Sequence, residues 1–182
     1  MKVDKKIQDG IWDWAKAVTL ALLLVVIVRF YVFLPLKVDG DSMSPTLEQG
    51  NYILYETFSD IDRFDVIIFS NKEGETLIKR VIGLPGDSVS YKDDQLYLNG
   101  DPIDEPFLGS EKQQGMEVFT SDFDLLSLTG TGTVPEDSYF VLGDNRVRSR
   151  DSRIFGFVAQ ADIAGKAAMV YYPLEDFGLI GN

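Results

Sequence analysis

Two side chains in this sequence have the types and surroundings for covalent chemistry, a serine at 42 and a lysine at 79. Ser42 lies in residues 39–47, Asp-Gly-Asp-Ser-Met-Ser-Pro-Thr-Leu, directly after the long apolar stretch of the chain. Alone it reads as a polar turn residue, because Ser44-Pro45 is ordinary turn chemistry. Its flanks also do not make the G-x-S-x-G elbow of α/β-hydrolases. Lys79 lies in residues 76–82, Thr-Leu-Ile-Lys-Arg-Val-Ile. In a strand, Leu77, Lys79 and Val81 share one face, and Ile78, Arg80 and Ile82 share the other. Burial of the first face disfavours the ammonium and brings the amine toward neutrality. A neutral lysine can take a proton from a serine hydroxyl. A lysine snorkelling at a sheet edge is the commoner arrangement, and residue pattern alone leaves both open.

Composition narrows the chemistry further. The 182 residues include no histidine and no cysteine, which removes Ser-His-Asp and Cys-His catalysis, disulfides, and imidazole or thiolate metal sites. Acid–base work near neutral pH must then fall to Asp, Glu, Lys or Tyr with a shifted pKa. The formal net charge of -12 repels phosphate backbones, so nucleic acid is not an expected partner. A third polar cluster follows an apolar run near the C-terminus: Gly143-Asp144-Asn145-Arg146, then Ser149, Asp151, Ser152 and Arg153. It reads as a hydrogen-bonded loop held against a sheet, with Asp151 and Arg153 able to pair, or as a solvated turn.

The elements that must position these groups divide the chain in two. Residues 1–16 form a mixed-charge, helical lead-in carrying Trp12 and Trp14. Residues 17–36 are about the ~20 apolar residues a bilayer-spanning helix needs, with Arg29 able to snorkel and Tyr31 at the interface. Lys2, Lys5, Lys6 and Lys16 precede the span and favour an inside amino terminus. No small-residue cleavage site follows it, so an uncleaved signal anchor is expected. From 37 to 182 short β-type runs dominate, at 52–58, 65–69, 76–82, 87–91, 95–98, 139–142 and 164–172. Turn residues separate them, including Asn-Gly-Asp-Pro at 99–102, and 88–98 reads as a hairpin around Asp93-Asp94. Residues 105–134 read as an insertion or long loop. The fold class expected is mainly β, a compact antiparallel sheet or barrel-like domain on one N-terminal transmembrane helix.

The three clusters together resemble the type I signal peptidases of bacteria, in the compact Gram-positive form. Ser42-Met43-x-Pro45-Thr46-Leu47 is similar to that family's nucleophile box. Asp65-Val66 followed by Lys79-Arg80-Val81-Ile82-Gly83-Leu84-Pro85-Gly86-Asp87 is similar to its general-base box. Residues 143–153 are similar to its last box. The match runs in order from the anchor to about Tyr172, and three motifs together are a far stronger signal than one.

The resemblance implies Ser42 as nucleophile and Lys79 as general base, with Ser149 orienting the amine. It implies Asp151 and Arg153 as a supporting ion pair, with Asp144 also in support. It implies a substrate groove lined by Leu36, Val38, Met43, Leu47, Leu77 and Ile78, taking the signal peptides of exported preproteins as an added strand and cutting after small-x-small sites. Some members carry a serine two positions before the nucleophile. Gly40 stands there in this chain, so an oxyanion hole would rest on backbone N–H groups such as that of Ser42. No cofactor or metal is implied, and the expected place is a bacterial cell membrane with the catalytic domain outside. An assembly factor for surface structures such as pili is the rival reading within the same fold. A soluble Ser-Lys self-cleaving repressor would need a DNA-binding domain where this chain has its apolar segment, and a membrane-anchored β domain that merely binds is the blandest alternative.

Overall fold

The computed structural model describes residues 5–31, 33–108 and 119–181, in two units that meet between Leu34 and Pro35. The first unit is built on helix α1 (Lys5–Tyr31). It exposes Trp12, Trp14, Val18, Leu20 and the run Leu22, Leu23, Leu24, Val25 and Val26. Of the expected span, residues 17–31 are helical, whereas Phe33, Leu34, Pro35 and Leu36 belong to strand β1 (Phe33–Lys37). Among the described residues no helix is long and apolar enough to cross a membrane. The side chains of Arg29 and Tyr31 lie outside the described part.

The second unit is a two-sheet β structure. Beside β1 the strands are β2 (Tyr52–Glu56), β3 (Val66–Ser70), β4 (Thr76–Gly83), β5 (Val89–Lys92), β6 (Gln95–Leu98) and β7 (Asp101–Ile103). There follow β8 (Phe123–Asp124), helix α2 (Leu125–Thr129), β9 (Ser138–Leu142), helix α3 (Ser152–Phe155), β10 (Val158–Ala159), β11 (Ile163–Tyr172) and β12 (Gly178–Leu179). The larger sheet runs β1-β2-β11-β3-β4-β9-β10, with β12 also on β11, and the smaller runs β7-β6-β5-β8. The strand pairings described in register are antiparallel.

Alternation along the strands sends neighbouring side chains to different cores. On β3, Val66 and Ile68 pack with Val38, Met43, Leu47 and Ile53, while Ile67 and Phe69 pack with Val81, Tyr139 and Val141. On β9, Tyr139 and Val141 join that second cluster, while Phe140 and Leu142 meet Val89, Tyr91, Leu96 and Leu98 of the small sheet. The central strands are therefore covered on both faces, which is why β3 reads as a nearly unbroken apolar run and β4 departs from one at Lys79 and Arg80.

The expected hairpin forms β5 and β6, with Asp93 and Asp94 both at positive φ (51° and 59°) as a two-residue turn matching strand twist requires. The expected turn at 99–102 is shorter than the sequence suggests. Asn99 (φ 55°) and Gly100 (φ 92°) make a second tight turn, and Asp101 with Pro102 already belongs to β7, an edge strand where a missing N–H is tolerated.

Residues 105–134 are more than a loop where they are described. Leu108, Phe119, Leu125 and Val134 are buried, and α2 is capped by Asp124, which accepts from the Ser127 N–H, and closed by Gly130 in the left-handed region. Residues 109–118 of that expectation lie outside the described residues.

Candidate active site

Ser42 sits in a loop folded back on itself between β1 and β2. The Val38 N–H donates to the Asn51 carbonyl at 2.8 Å and the Gly50 N–H returns to the Val38 carbonyl at 3.0 Å. Inside this closure the Ser44 N–H donates to Asp41 and the Leu47 N–H to Met43, winding a turn that Gly40 enters at φ +88°. Met43 and Leu47 anchor it in the core. From the other side, the Asn145 N–H donates to the Ser42 carbonyl at 3.1 Å and its side-chain amide to the Asp41 carbonyl at 3.2 Å.

Lys79 lies on β4, an inner strand of the larger sheet, opposite Ile67 of β3 and one residue before the pairing with β9 begins at Arg80. It is 3% exposed. Its burial and inward hydrogen bonding exclude the snorkelling arrangement. Its Nζ donates to Ser42 Oγ at 2.8 Å and to the Ile78 carbonyl at 2.9 Å. Burial lowers the Lys79 pKa to about 8, against the upward pull of the Asp151 and Asp144 carboxylates. About a tenth of the amine is therefore neutral at pH 7, and about half near pH 8, beside a hydroxyl.

The last polar cluster packs behind this pair. Asp151 takes Arg153 through Nε and Nη2, both at 2.8 Å, accepts the Gly143 N–H at 3.1 Å, and caps α3. The expected Asp151–Arg153 pair is thus present. Ser152 Oγ accepts the Val141 N–H, fixing α3 to β9. Ser149 Oγ is buried and has no hydrogen-bond partner among the described residues, Lys79 included. Gly143 is where these parts converge, since a Cβ there would lie 2.2 Å from Ser149 Oγ and 2.4 Å from the Ser42 carbonyl oxygen.

A cleft of about 210 Å³ opens beside Ser42 and Lys79, walled by Leu36, Val38, Gly40, Met43, Leu77 and Ile78. Five of the six expected apolar lining residues are there. Leu47 is the exception: it has no exposed surface and belongs to the core beneath the loop. Its side chain serves packing because the turn from Met43 to Leu47 points it inward.

Two charged networks escaped the sequence reading. Arg80, the residue after Lys79, is wholly buried and grips Asp144 with Nε and Nη2 at 2.9 and 2.7 Å. Arg146 is buried against Glu105 (2.5 Å) and the Tyr91 hydroxyl, and donates to the Gly143 carbonyl at 3.0 Å. Burial drives the Tyr91 phenol pKa well above its ordinary value. For Arg80 the signal was available, a charge on an otherwise apolar strand face with Ile78 and Ile82. For Glu105 and Tyr91 there was none, because their partner lies 41 or more positions away.

The family model "Signal peptidase, peptidase S26" matches residues 11–172. Signal peptidase I V of Bacillus subtilis (strain 168) is 46% identical over 158 residues, covering 84% of this chain and 94% of the relative. Signal peptidase I of Bacillus caldolyticus is 45% identical over 171 residues, covering 91% and 92%. The crystal structure of a signal peptidase I from Enterococcus faecalis V583 is 48% identical, with a TM-score of 0.57, and covers 59% of this chain and 97% of that one. With the family model spanning most of the chain and relatives at 45–46% identity over most of its length, the chain belongs to the signal peptidase family, peptidase S26.

Proposed function

We propose that the protein is a membrane-bound type I signal peptidase that removes signal peptides from exported preproteins by acyl transfer. The observation carrying the reading is the 2.8 Å approach of Lys79 Nζ to Ser42 Oγ at the head of an apolar cleft. Neutral Lys79 takes the Ser42 proton as Oγ attacks the scissile carbonyl carbon. The resulting ammonium gives that proton to the departing amine, leaving an acyl-enzyme on Ser42. Lys79 then deprotonates a water that attacks the ester, and returns the proton to Ser42 Oγ. The Ser42 N–H donates to no protein acceptor among the described residues, which suits it to the developing oxyanion. Gly40 lines the cleft beside it.

The substrate lies extended against Val38, with small side chains before the cut seated on Leu36, Met43, Leu77 and Ile78. In the working complex Ser149 Oγ turns to the lysine amine, and the Asp151–Arg153 pair and Asp144 keep the loop rigid. The exposed apolar run of α1 holds the chain on the lipid bilayer, with the amino terminus cytoplasmic and residues 37–182 outside. Release of the protein from membranes by alkaline carbonate washing would overturn that anchor. The relatives reported carry signal peptidase names, and none of those names points to pilus assembly.

Ser42→Ala and Lys79→Ala, each folded by circular dichroism, should leave a purified preprotein uncut on a gel. Substantial mature product from either variant would sink the assignment.

A further inference from the structure

The guanidinium of Arg80 ties the C-terminal end of the chain into the site. Its five N–H groups meet five acceptors. Nε and one Nη2 hydrogen go to Asp144, and the other Nη2 hydrogen goes to Thr46 Oγ1 in the Ser42 loop at 3.3 Å. Nη1 donates to the Phe64 carbonyl at 2.7 Å and to the Gly181 carbonyl at 3.0 Å. The plane of the group rests on the Phe107 ring, 4.0 Å from its centroid.

Gly181 reaches Arg80 because several contacts in series hold the strip before it. Asp176 accepts from the amide of buried Asn51 at 2.8 Å, and Gly178 and Leu179 pair with Val170 and Met169 as β12. The Ile180 N–H donates to the Ala168 carbonyl at 3.0 Å. The Ile180 side chain packs on the cluster containing Val38, Met43 and Leu47, so it backs the cleft wall and the nucleophile loop.

We propose that residues 178–181 are a positioning element for the catalytic pair. Gly181 completes the hydrogen bonding of Arg80, and Ile180 supports the Ser42 loop from behind. Without them a buried cation keeps an unpaired donor, and water or a shifted side chain must answer it. The first groups to move are those Arg80 holds: Asp144, Thr46 and its own strand, on which Lys79 is the adjacent residue. Displacements of this kind, distant from the reacting atoms, alter rate through geometry. The proposal rests on the Ser42–Lys79 reading.

The test compares the full chain with a protein ending at Leu179, using a labelled preprotein in detergent across pH 6–10, with unfolding followed in parallel. kcat should fall about tenfold or more. The acid limb should also move to higher pH, because loosening Arg80 frees the Asp144 charge, which with Asp151 raises the Lys79 pKa, and admits water. Full-length Ile180→Ala should change both in the same direction by less, and Ile180→Val should restore them. A folded truncated protein with unchanged kcat and acid limb overturns the proposal. If the truncated protein does not fold, unchanged values in Ile180→Ala overturn it instead. Ser42→Ala, run alongside, reports separately on the underlying reading.

Discussion

Arg80 and Asp144 form a two-pronged ion pair with no exposed surface, one residue beyond Lys79 on β4 and one beyond Gly143. Removing one partner strands a charge in the core. Asp144→Ala should therefore cost about 3–5 kcal/mol in urea unfolding. Asp144→Asn keeps the shape while removing a carboxylate that raises the Lys79 pKa. The acid limb of kcat/KM in Asp144→Asn should shift to lower pH, and an unmoved limb would disconnect the pair from the lysine.

Lys79 makes both activity and stability depend on pH, in directions that follow from burial. The proposed mechanism needs a neutral Lys79, so activity should rise with pH through about 8 and be lost below it. For stability, the unfolded lysine binds its proton up to its ordinary value of 10.5, whereas the folded one releases it near 8. Between these values the unfolded state holds more protons, so this residue's contribution to stability rises with pH. Below about 8 its penalty is fully present, about 3 kcal/mol at 1.36 kcal/mol per pKa unit. Lys79→Met should thus gain on the wild type at pH 7 and lose that advantage by pH 10. Urea unfolding of both proteins at the two pH values measures it, and a constant difference would contradict a buried, proton-releasing lysine.

Gly143 leaves no room for a side chain, because Ser149 Oγ and the Ser42 carbonyl oxygen occupy the place of a Cβ. Gly143→Ala should push the nucleophile loop away from Lys79 and reduce turnover by about a hundredfold or more. Ser149→Ala removes a buried hydroxyl that bonds nothing in this structure, so its unfolding free energy should stay within about 1 kcal/mol of the wild type. Combining the two should leave the loss of stability in Gly143→Ala unrescued in urea unfolding, since the backbone oxygen of Ser42 still obstructs the methyl group. Recovery in the double variant would show that the serine side chain alone sets the fit.

Local pattern carried much of the fold. The β3, β4, β6, β9 and β11 strands stand within a residue or two of the apolar runs that announced them, and the Asp93-Asp94 turn lies where two turn formers interrupt alternation. Residues 33–36 misled because an apolar run after a helix has no period of its own, and only pairing beside β2 makes it a strand. Residues 105–134 misled because polar composition hid four separated core side chains, Leu108, Phe119, Leu125 and Val134. Leu47 misled because motif position does not reveal the direction of a side chain leaving a turn.

The sequence by itself determined which chemistry was available. With no histidine or cysteine, a serine, a lysine and a set of carboxylates were the remaining tools, and the period of two placed Lys79 between Leu77 and Val81. Whether that lysine was buried depended on which strands flank β4. Long-range pairing that no local pattern encodes brings β3 beside it, and the Ser42 loop folds onto its amine. The same assembly brings together Ser42 and Lys79, 37 positions apart, with Asp144 on Arg80 across 64. Tertiary structure decided the burial, and burial is what lowers the pKa of this lysine amine toward the value its proposed role as base requires.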